Sequence, residues 1–413
     1  MTLGTGPANE NAAVPTPGFG LQKVRIAGFR SVRATTCAPG RLCALVGEAN
    51  TGKSNVLAAV WTLLEPQAPA PTVEDVFHGG AGEIRIGATL SDGSTCSVEA
   101  LPPALPTRAG TAPAVIFLPA AERTERLFGR PLGSSRIVRK TSHVIEAALA
   151  ASGARSSAAP ALAFVGAIEE CCRAAIRGLI LLIEEPELYL RPQAQRYLYR
   201  LLRDFAAGGN QVLYSTHAPA FLNVGRLDEL ALVEHLADAG TAIVQPEPLP
   251  ADASFRALSE FDAERSELFL ARAALLVEGQ TEKLVFPFIF QALGHDADRE
   301  AISIVECGGK PNLPLFARIC DAARVPYVVV HDRDAPPGKQ PIQAERAVNA
   351  AIAAIAPAEQ TIVLEPDFEA VAGLHGHRHK PEHAWRSFAG IGRAAVPLPL
   401  TAAVERVLAL ARD

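Results

Sequence analysis

The fold turns on the stretch 275-LLVEGQTEKLVFPFIFQALG-294, taken together with 326-PYVVVHDRDAPP-337. The first is an apolar strand ending in Glu278, then a Gly279 turn, then a helix carrying Glu282. The second is another apolar strand, ending in Asp332-Arg333-Asp334. If the two strands lie side by side and parallel, Glu278, Glu282, Asp332 and Asp334 gather at one edge of one sheet. Ligands of open α/β sheets bind at that edge, outside the carboxyl ends of the strands. Clustered carboxylates repel one another in low dielectric and need a counter-ion, and Mg²⁺ or Mn²⁺ with oxygen ligands suits them. Glu282 follows Glu278 by four residues, one turn into the helix, so both can face one metal. Asp332 and Asp334 alternate past Arg333 and can point to the same side.

Working outward, AISIVECGGKPNL supplies a further strand that ends at Glu306 and a Gly308-Gly309 turn, where backbone can approach a phosphate closely. TIVLEPDFEAVAGL places Asp367 and Glu369 after another strand. In GHRHKPEHAW, His375, His377 and His379 are a second source of acid/base groups, although a surface cluster is the blander and favoured reading. Acids at strand ends also cap helices and hydrate turns, and that reading weighs more on Asp367 and Glu369 than on Glu278, Asp332 and Asp334.

A second chemical signal lies upstream. Gly47-Glu-Ala-Asn-Thr-Gly52-Lys53-Ser54 fits G-x-x-x-x-G-K-[ST], with an apolar strand before it and a helix after it. Such a loop wraps a phosphate in backbone N–H groups, its Lys reaches the β- and γ-phosphates and its Ser holds Mg²⁺. Gly47, Asn50, Thr51, Gly52, Lys53, Ser54 and Asn55 are therefore expected to hold ATP. Further on, 179-LILLIEEPELYL-190 reads as a central parallel strand with a catalytic edge. There Glu184 would hold Mg²⁺, and Glu185 would orient or deprotonate the attacking water. The next apolar strand, in NQVLYSTHAPAFL, leads to His217, well sited to sense a γ-phosphate.

Composition sets the bounds. A chain of 413 residues, 49% of them hydrophobic, has room for two or three domains with real cores. A formal net charge of -5 neither advertises nor excludes nucleic acid. Seven scattered cysteines without a CxxC pair read as reduced thiols, and no apolar run reaches membrane-spanning length, so the cytoplasm is expected, with no membrane association. Residues 1–19 read as a flexible tail, 20–245 as an ATPase domain, 246–268 as a Pro-dotted junction and 269–413 as the acidic-site domain. The stretch 122–143 is the most basic, a candidate to touch DNA or a partner's ATP, with a solvated loop as the even alternative. EIRIGATLSDGSTCSVEAL predicts a hairpin around Asp92-Gly93, and residues 153–178 predict one helix with Ser156 or Ser157 near its start.

The order of Gly47–Ser54, Ile183-Glu-Glu-Pro-Glu187 and Ser215-Thr-His-Ala-Pro-Ala220 resembles an ABC/SMC-type ATPase head. Followed by Val277-Glu-Gly-Gln-Thr-Glu-Lys283 and His331-Asp-Arg-Asp334, it is similar to the OLD (overcoming lysogenization defect) nucleases, which fuse such a head to a Toprim domain. The nuclease subunit of the Gabija defence system is of this kind. The resemblance covers about residues 21 to 385. It implies an α/β fold, a P-loop ABC-type ATPase head plus a Rossmann-like Toprim domain with a parallel sheet. It further implies an ATP-regulated, Mg²⁺- or Mn²⁺-dependent DNA endonuclease, working in phage defence or DNA repair as a homodimer or higher assembly, with a partner helicase or defence protein conceivable. By that likeness Glu185 is the hydrolytic glutamate, His217 the switch histidine, and Glu278, Asp332 and Asp334 the Toprim acids. Asp367 and Glu369 would complete a second metal position, and Lys380 would steady the transition-state charge. Two departures stand out. No Ser-Gly-Gln-like signature turn is recognisable, only Ser156-Ser157 where it would fall, and the acid usually written Asp is Glu184.

Two rivals differ in class. One is a non-nuclease ATP switch that binds DNA or senses it. The other is a different Toprim enzyme, a topoisomerase or primase. A topoisomerase needs an attacking tyrosine, and Tyr189, Tyr197, Tyr199, Tyr214 and Tyr327 all fall in or near expected buried elements.

Overall fold

In Leu21–Phe29 the residues Leu21, Val24, Ile26 and Phe29 are buried and Gln22, Lys23 and Arg25 are exposed, with the pairing register shifting between Leu21 and Lys23. The computed structural model describes residues 20–80, 82–120, 160–250, 264–335, 338–374 and 380–412, with side chains of 160–164, 224 and 380 left aside. The basic stretch 122–143, the Ser156-Ser157 pair and the histidines 375, 377 and 379 lie outside the described residues.

The chain forms two compact units. One takes residues Met1–Cys43, Gly52–Ser215 and His235–Ile243; the other takes Ala44–Thr51, Thr216–Glu234 and Val244–Asp413.

In the first unit 21-LQKVRIAGFRSV-32 forms a hairpin. Arg30 turns with a positive φ of 49°, and Val32–Cys37 returns antiparallel to Leu21–Phe29. Leu21–Phe29 also pairs antiparallel with Ile84–Leu90, so it is an inner strand of a meander. The hairpin around Asp92-Gly93 is present, with Ile84–Leu90 against Thr95–Ala100, and Thr107–Ala109 adds a short strand. A three-stranded parallel group stands apart from the meander pairings. Leu179–Glu184 runs between Ala114–Leu118 and Gln211–Ser215, in register through Glu184 opposite Ser215. Its apolar run Ile180–Ile183 is buried throughout, as an inner parallel strand requires. The helix expected over 153–178 is described from Pro160 to Arg173.

In the second unit Leu42–Val46 pairs in parallel with Leu230–Leu236. The unit's other sheet has four parallel strands, in the order Ile302–Glu306, Ala273–Val277, Tyr327–Asp332, Thr361–Leu364. The two strands that opened the sequence reading are thus adjacent and parallel, with Leu276 opposite Val329. The helices Gln280–Leu293 and Leu398–Leu410 bury Phe286, Phe290, Leu400 and Val404 in one core with Leu275, Val277, Val328 and Val330. That core fixes the strand ends, and with them the acidic edge. Among the described residues no helix is long and apolar enough to cross a membrane.

Candidate active site at the carboxyl edge of the parallel sheet

Ala273–Val277 is wholly buried and ends at Glu278, where Gly279 starts the helix Gln280–Leu293. Tyr327–Asp332 ends beside it. The two chain ends are tied together: the Asp332 N–H donates to Glu278 Oε1 at 2.7 Å. Asp332 Oδ1 in turn accepts from the Phe368 N–H at 2.7 Å. Asp334 lies past the strand in left-handed backbone, φ 58°, so simple alternation does not carry it to the site. It is held instead by its own N–H, which donates to the Pro366 carbonyl, and by Lys310, whose Nζ is 2.5 Å from Asp334 Oδ2. In these bonds Glu278, Asp332 and Asp334 each engage one carboxylate oxygen.

The electrostatics follow from burial and from like charge. Burial first, then the neighbouring Glu278 and Glu282, push the Asp332 carboxyl up to about 8. Burial also raises Glu278 to about 7, with Glu282 and Asp334 adding to the rise and the Asp332 N–H and Lys310 opposing it. Glu282 is raised mainly by burial and next by Glu369, while backbone N–H groups at the start of its own helix oppose the rise. His331 is buried and held below its usual range by that burial; its Nδ1 lies 2.9 Å from the Asp332 carbonyl oxygen. Glu278, Glu282, Asp332, Asp334 and Glu369 therefore share one electrostatic neighbourhood. Asp367 caps the Phe368–Val371 helix through Ala370 N–H at 2.8 Å, the blander role weighed for it. Lys380 opens the helix Lys380–Phe388.

Do these acids suit a divalent cation? The donors are hard oxygens, crowded until they resist ionisation, which is the environment a cation relieves. Among the described residues no three such side chains are already closed into a metal site. The set fits a cation in kind and number rather than in finished geometry.

Lys310 and Glu345 escaped the sequence reading. Lys310 is 5% exposed and contacts Glu345 Oε2 at 3.3 Å as well as Asp334. The one available signal was the Gly-Gly-Lys turn directly after a strand.

The phosphate-type loop is shaped by close contacts. A Cβ on Gly47 would stand 2.1 Å from the Val233 carbonyl oxygen. Gly52 has φ 104°, and a Cβ there would meet Thr241 Oγ1 at 2.0 Å and Ser31 Oγ at 2.7 Å. Asn50 is also left-handed, φ 64°. Lys53 and Thr51 are buried, with Thr51 Oγ1 donating to the Glu48 carbonyl, while Ser54 is exposed. Helix Lys53–Leu64 begins at Gly52 without a side-chain cap hydrogen bond. Asn55 donates to Ser31 Oγ at 2.7 Å. Glu184 ends its strand and accepts the Ala120 N–H at 3.0 Å; Glu185, φ 46°, donates its N–H to the Ser215 carbonyl. His217 is exposed just after the Gln211–Ser215 strand.

Comparison with known proteins follows the same two parts. Residues 269–334 match the "Overcoming lysogenization defect protein-like, TOPRIM domain" model, and residues 120–223 match "AAA domain, putative AbiEii toxin, Type IV TA system". The OLD nuclease of Thermus scotoductus is 39% identical over 212 residues, 47% of this chain and 40% of that protein. The Old nuclease of Escherichia phage P2 is 28% identical over 163 residues, 38% of this chain and 28% of that protein. The chain thus spans less than half the length of these curated relatives. Among solved structures, the SMC head domain from Thermotoga maritima aligns with 55% of this chain and 99% of that chain, at 16% identity and TM-score 0.38. By sequence, this mixed α/β chain is a relative of the OLD nucleases that pairs an AAA-type ATPase segment with an OLD-like TOPRIM segment.

Proposed function

We propose that the chain is an ATP-binding, divalent-metal-dependent DNA endonuclease of the OLD type. The observation that carries this reading is the acidic edge, where Glu278, Asp332 and Asp334 lie at or just past the ends of adjacent parallel strands inside the TOPRIM-matched segment. Mg²⁺ or Mn²⁺ bound there would supply an activated water and charge stabilisation for the leaving oxygen. The chain's own part is to hold the ligands. Backbone N–H groups of Asp332 and Phe368 orient Glu278 and Asp332. Glu282 and Glu369 extend the acid set, Asp367 sits at its margin, and Lys380 is assigned to transition-state charge.

In the ATPase part, Gly47, Asn50, Thr51, Gly52, Lys53, Ser54 and Asn55 are assigned to nucleotide and Mg²⁺. Glu184 supports the metal, Glu185 orients the attacking water and His217 reads the γ-phosphate. ATP regulates the nuclease rather than driving each cut. We assign residues 1–19 to a tail, 20–245 to the ATPase domain, 246–268 to a junction and 269–413 to the nuclease domain. DNA is the substrate, a homodimer or higher assembly the working form, and the cytoplasm the compartment. The free cysteines are consistent with that compartment: burial raises the Cys307 and Cys320 thiols and keeps them unreactive.

The rival reading is an ATP switch without nuclease activity. Assays of ATP hydrolysis and of supercoiled-plasmid cleavage, run on wild type, Lys53→Ala and Asp332→Ala, separate the two. The nuclease reading expects Asp332→Ala to lose cleavage and keep ATP hydrolysis. Wild type that hydrolyses ATP but cuts nothing under any divalent metal would favour the switch.

A further inference from the structure

Lys310 is a charged residue almost closed off from solvent, at 5% exposure, and the roles assigned above do not explain why it is there. A buried ammonium is costly unless paired. Lys310 is paired twice, with Asp334 Oδ2 at 2.5 Å and with Glu345 Oε2 at 3.3 Å. The two acids come from different elements. Asp334 follows the strand Tyr327–Asp332, and Glu345 lies in the first turn of the helix Gln343–Ala353. The turn bearing Lys310 is itself pinned to the site: the Gly309 N–H donates to the Glu278 carbonyl at 2.7 Å, and Asn312 Nδ2 donates to the Cys307 carbonyl at 3.0 Å. Gly309 has φ 115°, and Gly308 φ 71°, so the Gly-Gly pair permits a turn that lets Lys310 enter. The ammonium is therefore fixed from below by the turn and from the side by Glu345. Its contact with Asp334 is the side-chain bond that holds this acid, since the left-handed backbone at 334 has left the sheet.

We propose that Lys310 is a positioning residue for the nuclease site, locking one oxygen of Asp334 so that the other faces the cation shared with Glu278 and Asp332. Glu345 is its anchor. The inference rests on the nuclease reading. Partners that orient metal-binding groups typically change affinity or activity by ~10–100-fold when removed. A competing role, mere electrostatic opposition to a cation, carries the opposite sign, because losing the ammonium would then tighten metal binding.

The test is Mn²⁺ binding by the full chain, followed by electron paramagnetic resonance, with thermal unfolding of each variant recorded alongside. Lys310→Met is expected to weaken Mn²⁺ binding by ~10-fold or more, in the range for such partners. Lys310→Arg is expected to recover most of that loss, because it restores a donor to Asp334. Glu345→Gln is expected to weaken binding less than Lys310→Met does. In plasmid cleavage at saturating Mn²⁺, Lys310→Met should lower kcat and leave KM for DNA in place. Tighter or unchanged Mn²⁺ binding in a folded Lys310→Met protein would overturn the inference while leaving the nuclease reading intact. A rise confined to KM for DNA would overturn it as well, in favour of a phosphate contact. If wild type binds no Mn²⁺, or binds it equally after Asp332→Ala, the nuclease reading fails and the inference falls with it.

Discussion

Asp332 shows how one residue can serve as both strand end and chemical group. Its N–H holds Glu278 and its Oδ1 is held by Phe368, so the side chain is fixed before any ligand arrives. The cost is charge. Burial and like neighbours raise Asp332 to about 8 and Glu278 to about 7. Between the ordinary carboxylate range and those values, the folded chain keeps protons that the unfolded chain has released. Unfolding therefore becomes easier as pH rises through that window. Thermal unfolding in a chelating buffer, from about pH 5 to about pH 9, is expected to show a falling melting temperature. Asp332→Asn should flatten the fall, and Mn²⁺ should reverse it, because the cation binds the deprotonated acids. A melting temperature that climbs steadily across the window in metal-free buffer would contradict the assigned environment. The same residues show where sequence reading stops. Acids at strand ends can be picked out by pattern, but Lys310 cannot, because its partners Asp334 and Glu345 stand 24 and 35 residues away.

At the scale of the element, the strand and its following turn do the positioning. Phe286 and Phe290 on the helix Gln280–Leu293 are fully buried against the sheet that carries the acids. Phe290→Ala is expected to cost ~3–5 kcal/mol of stability, readable in denaturant unfolding. A loss well under ~1 kcal/mol would mean that this helix does not support the sheet as described. In the nucleotide loop, Gly52→Ala would force left-handed backbone on a residue with a Cβ and drive that atom toward Thr241 Oγ1. Strain of that kind costs ~1–3 kcal/mol and here adds to a clash inside the loop, so Gly52→Ala should lose ATP binding in a fluorescent-nucleotide titration, whereas Gly79→Ala, also left-handed (φ 83°) but with open space around it and outside the loop, should not.

These elements explain what was legible. Apolar runs bounded by glycine gave the parallel strands, and Asp92-Gly93 gave its hairpin, because both signals are local. The turn at Arg30 has no local composition signal in LQKVRIAGFRSV, since the reversal is made by a left-handed arginine. The Thr107–Ala109 strand was hidden because pairing with Thr95–Ala100 makes it, not its own composition. Asp367 reads as a metal ligand by position and stands as a helix cap by geometry. Asp334 reads as the next outward residue of a strand, yet it is placed by a left-handed turn.

For the whole molecule, the claim is that a nucleotide-binding part governs a separate metal-dependent one. Lys53→Ala should abolish ATP hydrolysis and change how nucleotide affects cleavage, while metal-dependent cutting persists; a Lys53→Ala protein as inert on DNA as an Asp332 variant would oppose that division of labour. The matched part of this chain covers 40% and 28% of its curated relatives, so its activity must be measured on this chain itself. The most direct measurement is the conversion of supercoiled plasmid to nicked or linear DNA with Mn²⁺, for wild type beside Asp332→Asn. This substitution preserves side-chain shape, removes the charge and replaces one carboxylate oxygen with an amide NH2. The account predicts cleavage by wild type that a chelator abolishes and that Asp332→Asn lacks. Equal cleavage by the two proteins, or cleavage by wild type in the presence of chelator, would contradict it.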